Sequence, residues 1–161
     1  ESGDAAASVR ELEARLQLAV EAEDFEEAAR LRDELSSRAL DGEGAVLCAN
    51  SEFYFAFRAC DVGRMKTLWL NAPRSWCVHP GGLPVEGYGP VVESWESILS
   101  QRTEMDIECL NPSVTVRDNF ARVVCLERID KRAALVAVNL FEATPEGWKM
   151  WYHQASVTSL R

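Results

Sequence analysis

Two histidines are the residues of this 161-residue chain best able to move a proton near neutral pH. His79 lies in SWCVHPGGLPVEGYGPVVESW, residues 75–95, among glycines and prolines, and His153 lies in GWKMWYHQAS near the end of the chain. Either imidazole could act as a base, and Tyr88, Tyr152 or Trp151 could donate to a developing oxyanion. Strict strand alternation puts His153 on the face of Lys149 and Trp151, and Tyr152 on the face of Trp148, Met150 and Gln154. The donor adjacent in sequence therefore points away. The centres of the strands offer Asn139 but no carboxylate, since Glu127 and Glu142 fall near strand ends. Cys77 and His79, two residues apart, share a strand face and with His153 make three candidate ligands, but the paired spacings of a zinc site are missing. The expectation is no catalytic residue, no metal and no cofactor. His79, Tyr88, Trp95, Asn139, Trp151 and His153 are expected to line a ligand pocket in which the histidines serve structure first.

The elements that must hold these residues follow from hydrophobic period. Leu47, Phe53, Phe57 and Cys60 space as a helix, and Asp61 caps a shorter one through Met65, Leu68 and Trp69. Trp76–Val78 reads as a short strand and HPGGLPVEGYG as loop. Pro90 opens a third helix with Val91, Val92, Trp95, Ile98 and Leu99 on one face. From Met105 onward the pattern is strands, with turns at RDN, IDKRA and TPEG. Helices followed by an antiparallel meander mean an α+β fold with the helices on one sheet face. Residues 134–142 are apolar on both sides, so the second face is expected to be covered, by a second subunit in a homodimer or by the N-terminal segment.

That segment is SVRELEARLQLAVEAEDFEEAARLRDELSSRAL, without glycine or proline and rich in helix formers. The stripe of Leu12, Leu16, Ala19 and Val20 breaks phase and restarts at Phe25, Ala28, Leu31 and Leu35. Asp24 is an N-cap and Glu27 completes a capping-box spacing, so two short helices form a hairpin. Such a hairpin is marginal alone. Leu12, Leu16, Val20, Phe25, Ala28, Leu31 and Leu35 are therefore expected to bind a partner protein, with a second copy or the following domain as the alternatives. LEARLQLAVEAEDFEEAARLRDEL resembles the UVR motif, the hairpin of the excision-repair proteins UvrB and UvrC, which binds proteins and occurs in adaptors of Clp-type proteases. None of the repair proteins' helicase or nuclease segments accompanies it.

Residues 45–158, anchored by HPGG…EGYGPVVESW, GWKMWYHQAS and Asp61, resemble the SnoaL-like branch of the nuclear transport factor two-like superfamily. The resemblance implies a cone: three helices packed on a curved antiparallel sheet around a pocket. The superfamily includes polyketide cyclases, ketosteroid isomerases, dehydratases and members without catalysis, so fold alone does not set activity. Characterised enzymes rely on an aspartate inside the cone, and related sequences carry more histidine where Tyr152 and Gln154 stand here.

Charge divides the chain at the same place as pattern. Residues 1–43 hold 13 acidic and 5 basic side chains, and the rest 13 acidic and 12 basic. A net charge of −9 argues against nucleic acid, and no apolar run approaches the ~20 residues of a membrane span. Five scattered cysteines fit thiols in a reducing soluble compartment. The expected organisation is a hairpin with linker at 1–43 and a SnoaL-like domain at 44–161. The expected function is a protein-interaction accessory module, with an isomerase or cyclase of a small hydrophobic carbonyl compound as the alternative. The pairing of the two resemblances looks like a plant or algal plastid protein, which implies the chloroplast stroma and a removed transit peptide ahead of Glu1.

Overall fold

The computed structural model describes residues 9–131 and 133–157. It divides into two compact units, Glu1–Gly44 and Ala45–Arg161, with the boundary one residue beyond the one expected.

In the first unit, α1 (Val9–Glu21) and α2 (Phe25–Ala39) pack as a hairpin. Glu23 takes a positive φ of 54° at the turn, and the Asp24 carboxylate accepts the Glu27 N–H at 3.1 Å, capping α2. The other half of the capping box is absent, because the Glu27 side chain is drawn instead to Arg15 and Arg30. Leu12, Ala19 and Leu31 close the seam between the helices, with Leu16 and Ala28 packed against them. Leu40–Gly44 forms a π-helical turn.

The second unit places α3 (Ala45–Arg58), α4 (Val62–Leu68) and α5 (Tyr88–Leu99) on one face of a six-stranded sheet. Its strands are β1 (Trp76–Val78), β2 (Val85–Glu86), β3 (Ile107–Arg117), β4 (Phe120–Ile129), β5 (Ala133–Thr144) and β6 (Gly147–Val157), ordered β2-β1-β6-β5-β4-β3. The sheet is mixed, not wholly antiparallel: β1 runs parallel to β6, pairing Cys77 with His153. Val85–Glu86, read as loop from its glycines and prolines, pairs with β1 as an edge strand, where few ladder bonds are needed.

Two bulges decide which residues face the helices. On β3 the register shifts between Leu110 and Ser113, where Asn111 has a φ of 50° ahead of Pro112. On β6 it shifts around Trp151: Tyr152 pairs with Leu140, but Met150 pairs with Phe141. The extra residue turns Met150, His153 and Ala155 to the same buried face, against strict alternation. No helix among the described residues is long and apolar enough to cross a membrane.

Candidate functional site

Beneath the helices lies a cluster of buried polar groups, each delivered by the period of its own element. On β4, Ala121, Val123, Cys125 and Glu127 alternate onto the helix-covered face, and Asn139 on β5 and His153 on β6 meet them there. From α3, Asn50 and Tyr54 project onto the same face, four residues apart. Glu127 and His153 are each 1% exposed. The sequence expectation that no carboxylate reaches this interior is thus overturned at Glu127. Strand β4 continues two residues past it to Ile129, so the glutamate is inside the ladder and not at its frayed end.

The hydrogen bonds run in one direction. The Asn139 amide donates to Asn50 Oδ1 at 2.8 Å and to the Tyr54 hydroxyl at 3.3 Å. Tyr54 donates to Glu127 Oε1 at 2.7 Å. His153 Nδ1 lies 2.6 Å from Asn139 Oδ1, which can only accept, so Nδ1 carries the proton. The lone pair on His153 Nε2 then faces Glu127 Oε1 at 4.0 Å, too far for a hydrogen bond. A chain of donors therefore ends on one carboxyl. Burial raises that carboxyl to about 7 despite the opposing Tyr54 hydrogen bond. Burial, with a smaller contribution from His79, lowers His153 to about 3, so this pair is a carboxyl beside a neutral imidazole and not a salt bridge. The Tyr54 phenol is pushed up by burial and by Glu127.

His79 belongs to the rim of the same cluster. Its ring packs edge-on against Trp95 at 4.8 Å, and Nε2 is 2.9 Å from Ser94 Oγ. Ser94 spends its one proton on the Val91 carbonyl, so His79 Nε2 is the donor. Phe53 and Trp95 pack on His153 with ring centroids 5.1 and 5.6 Å away. Of the six expected pocket residues, His79, Trp95, Asn139 and His153 come together. Tyr88 is engaged elsewhere, donating to the Lys66 carbonyl at 3.1 Å, and Trp151 turns out at its bulge to the other sheet face. Tyr54, Glu127 and Asn50 were missed, although a polar pair spaced by four on an apolar helix and a Glu in phase with Val123 and Cys125 were both readable.

A family model for the SnoaL-like domain matches residues 46–159. The chain belongs to the SnoaL-like domain family. A model of the UvrB/uvrC motif matches residues 6–37, ahead of the SnoaL-like domain. Among solved structures, a proposed dehydratase of the NTF2-like family from Streptomyces avermitilis is 29% identical, with a TM-score of 0.66 over 71% of this chain and 95% of that one. A proposed ketosteroid isomerase from Parabacteroides distasonis is 16% identical, with a TM-score of 0.58 over 71% of this chain and 86% of its own, which speaks to fold. The F-box protein SKIP8 of Arabidopsis thaliana is 25% identical over 114 residues, covering 70% of this chain and 49% of that protein. The chain thus spans about half the length of this curated relative.

On the hairpin, Leu12 and Leu31 are buried in the seam between α1 and α2, which removes them from any outward docking face. Val20 and Phe25 are 55% and 73% exposed, joined by Leu18 at 64%, which was not expected. Leu16 and Ala28 are partly buried against the seam. The side chain of Leu35 lies outside the described residues.

Proposed function

We infer that the chain is a non-enzymatic accessory protein whose hairpin docks a partner protein and whose SnoaL-like domain serves as a scaffold or small-ligand pocket. The observation that carries this reading is the exposure of Leu18, Val20 and Phe25 around the hairpin turn, where Glu21, Glu23, Asp24 and Glu26 surround them. Apolar side chains held in water inside an acidic ring suit a partner with a greasy pocket rimmed by lysine or arginine. The polar cluster of the SnoaL-like domain supports the same reading, since its hydrogen bonds join Asn50, Tyr54, Glu127, Asn139 and His153 Nδ1 to one another under Phe53 and Trp95. The Arabidopsis relative bears the name of an F-box protein, not that of a small-molecule enzyme.

The test is quantitative capture from an extract by the full chain, by a chain lacking residues 1–40, and by Phe25→Asp. A specific partner should be lost with the deletion and weakened roughly tenfold or more by the substitution, because a buried aromatic anchor carries much of an interface. Equal capture by all three refutes the reading.

One observation favours a second reading, an isomerase or dehydratase acting on a small hydrophobic carbonyl compound. Glu127, raised to about 7, stands beside His153 Nε2 and the Tyr54 phenol, which supplies a base and an oxyanion donor in one place. That reading requires turnover of a trial ketone that Glu127→Gln abolishes without lowering thermal stability.

A further inference from the structure

We propose that the outward face of the sheet carries a second binding site, for a small organic carboxylate with an aromatic body. A cavity of about 450 Å3 opens there, walled by Thr115, Arg117, Phe120, Arg122, Leu140 and Trp151. That volume lies in the range of ligand pockets, ~300–1,000 Å3. It is on the sheet face opposite Glu127 and His153, so it is separate from the buried polar cluster.

Register builds it. Thr115 pairs with Arg122 and Arg117 with Phe120, so the two guanidinium groups come from neighbouring strands, displaced by two residues along the ladder. Arg122 pairs with Leu140, which supplies the floor. The bulge on β6 supplies the far wall by turning Trp151 outward.

Charge makes it specific. The chain is net −9, yet the carboxylates of the neighbouring outward positions are already engaged, Glu108 by Arg128 and Glu142 by Arg74. Among the described residues neither Arg117 nor Arg122 forms an ion pair, and Asp118 in the adjacent turn makes none with them. Trp151 lines the cavity beside Phe120. Two uncommitted arginine forks match the two oxygens of a carboxylate, and the rings of Phe120 and Trp151 match an aromatic body.

The probe is 2-naphthoate, titrated calorimetrically into the full chain, with 2-naphthalenemethanol as its neutral counterpart. Saturable binding of one equivalent of 2-naphthoate is expected. Arg117→Gln and Arg122→Gln, both exposed positions, should each weaken it on the order of tenfold, the loss of a charge-assisted hydrogen bond. The neutral compound should bind on the order of tenfold more weakly and ignore both substitutions. The proposal is overturned by failure of 2-naphthoate to saturate, by equal affinity for the two probes, or by variants that bind like the parent. It is also overturned if sedimentation shows a dimer that Leu140→Glu dissociates and that does not take up 2-naphthoate, since a second copy would then occupy this face.

Discussion

Glu127 and His153 respond to burial in opposite senses. The Glu127 carboxyl rises from 4.5 to about 7, so the folded protein holds its proton more tightly than the unfolded chain. Its contribution to stability is complete below pH 4.5 and is lost as pH rises through 7. His153 falls from 6.5 to about 3, so its contribution is complete above pH 6.5 and is lost as pH falls through 3. Between pH 4.5 and 6.5 the two slopes oppose each other. Glu127→Gln keeps the shape of the protonated acid and still accepts from Tyr54. Denaturant unfolding of that variant should show stability rising with pH across this window, and above pH 7 an advantage over the parent of up to roughly 3 kcal/mol. An unchanged profile would mean that Glu127 ionises as freely folded as unfolded. Asn139 is the junction between Asn50, Tyr54 and His153. Asn139→Ala, which strands those partners under the helices, should cost about 2–4 kcal/mol in the same measurement.

The hairpin is the element most easily broken, because its seam rests on Leu12, Ala19 and Leu31. Leu31→Ala removes the side chain opposite α1, at a cost of roughly 2–5 kcal/mol for a buried leucine, more than a short helical pair can spare. Asp24→Ala removes the cap at a cost of roughly 1 kcal/mol. Loss of helical circular dichroism with the β-sheet signal retained is the expected result for the first variant, and a lowered hairpin midpoint for the second. Arg30, followed by Arg15, draws Glu27 down to about 2. That contribution is present above pH 4.5 and fades as pH falls through 2, so acidification should loosen the hairpin, and Glu27→Gln should remove that acid sensitivity. On β6 the decisive element is a single extra residue. The bulge at Trp151 lets Met150 and His153 share the interior while Trp151 leaves it.

At the scale of the whole molecule, each unit has its own apolar cluster: among the described residues, a seam of Leu12, Ala19 and Leu31 in the hairpin and a much larger one between helices and sheet in the SnoaL-like domain. A chain beginning at Ala45 should therefore keep a cooperative unfolding transition, followed by differential scanning calorimetry, while losing most of the acidity concentrated in residues 1–43. A broad, uncooperative melt would show that the SnoaL-like domain depends on the hairpin for its core.

The helices, the hairpin and the four long strands were legible because they depend on local period and capping: Asp24 and Asp61 cap the helices expected of them, and the turns at RDN and TPEG join the strands expected of them. The α+β class and the gathering of His79, Trp95, Asn139 and His153 followed from that pattern and from the family resemblance. What the chain alone did not display was pairing. The parallel contact of β1 with β6, the outward turn of Trp151 and the meeting of Glu127 with Tyr54 across 73 positions each depend on which strands lie side by side and where a ladder slips by one residue. A one-residue slip exchanges the two faces of a strand, and it is stabilised by partners distant in sequence, so only the assembled sheet determines which side chains are buried together.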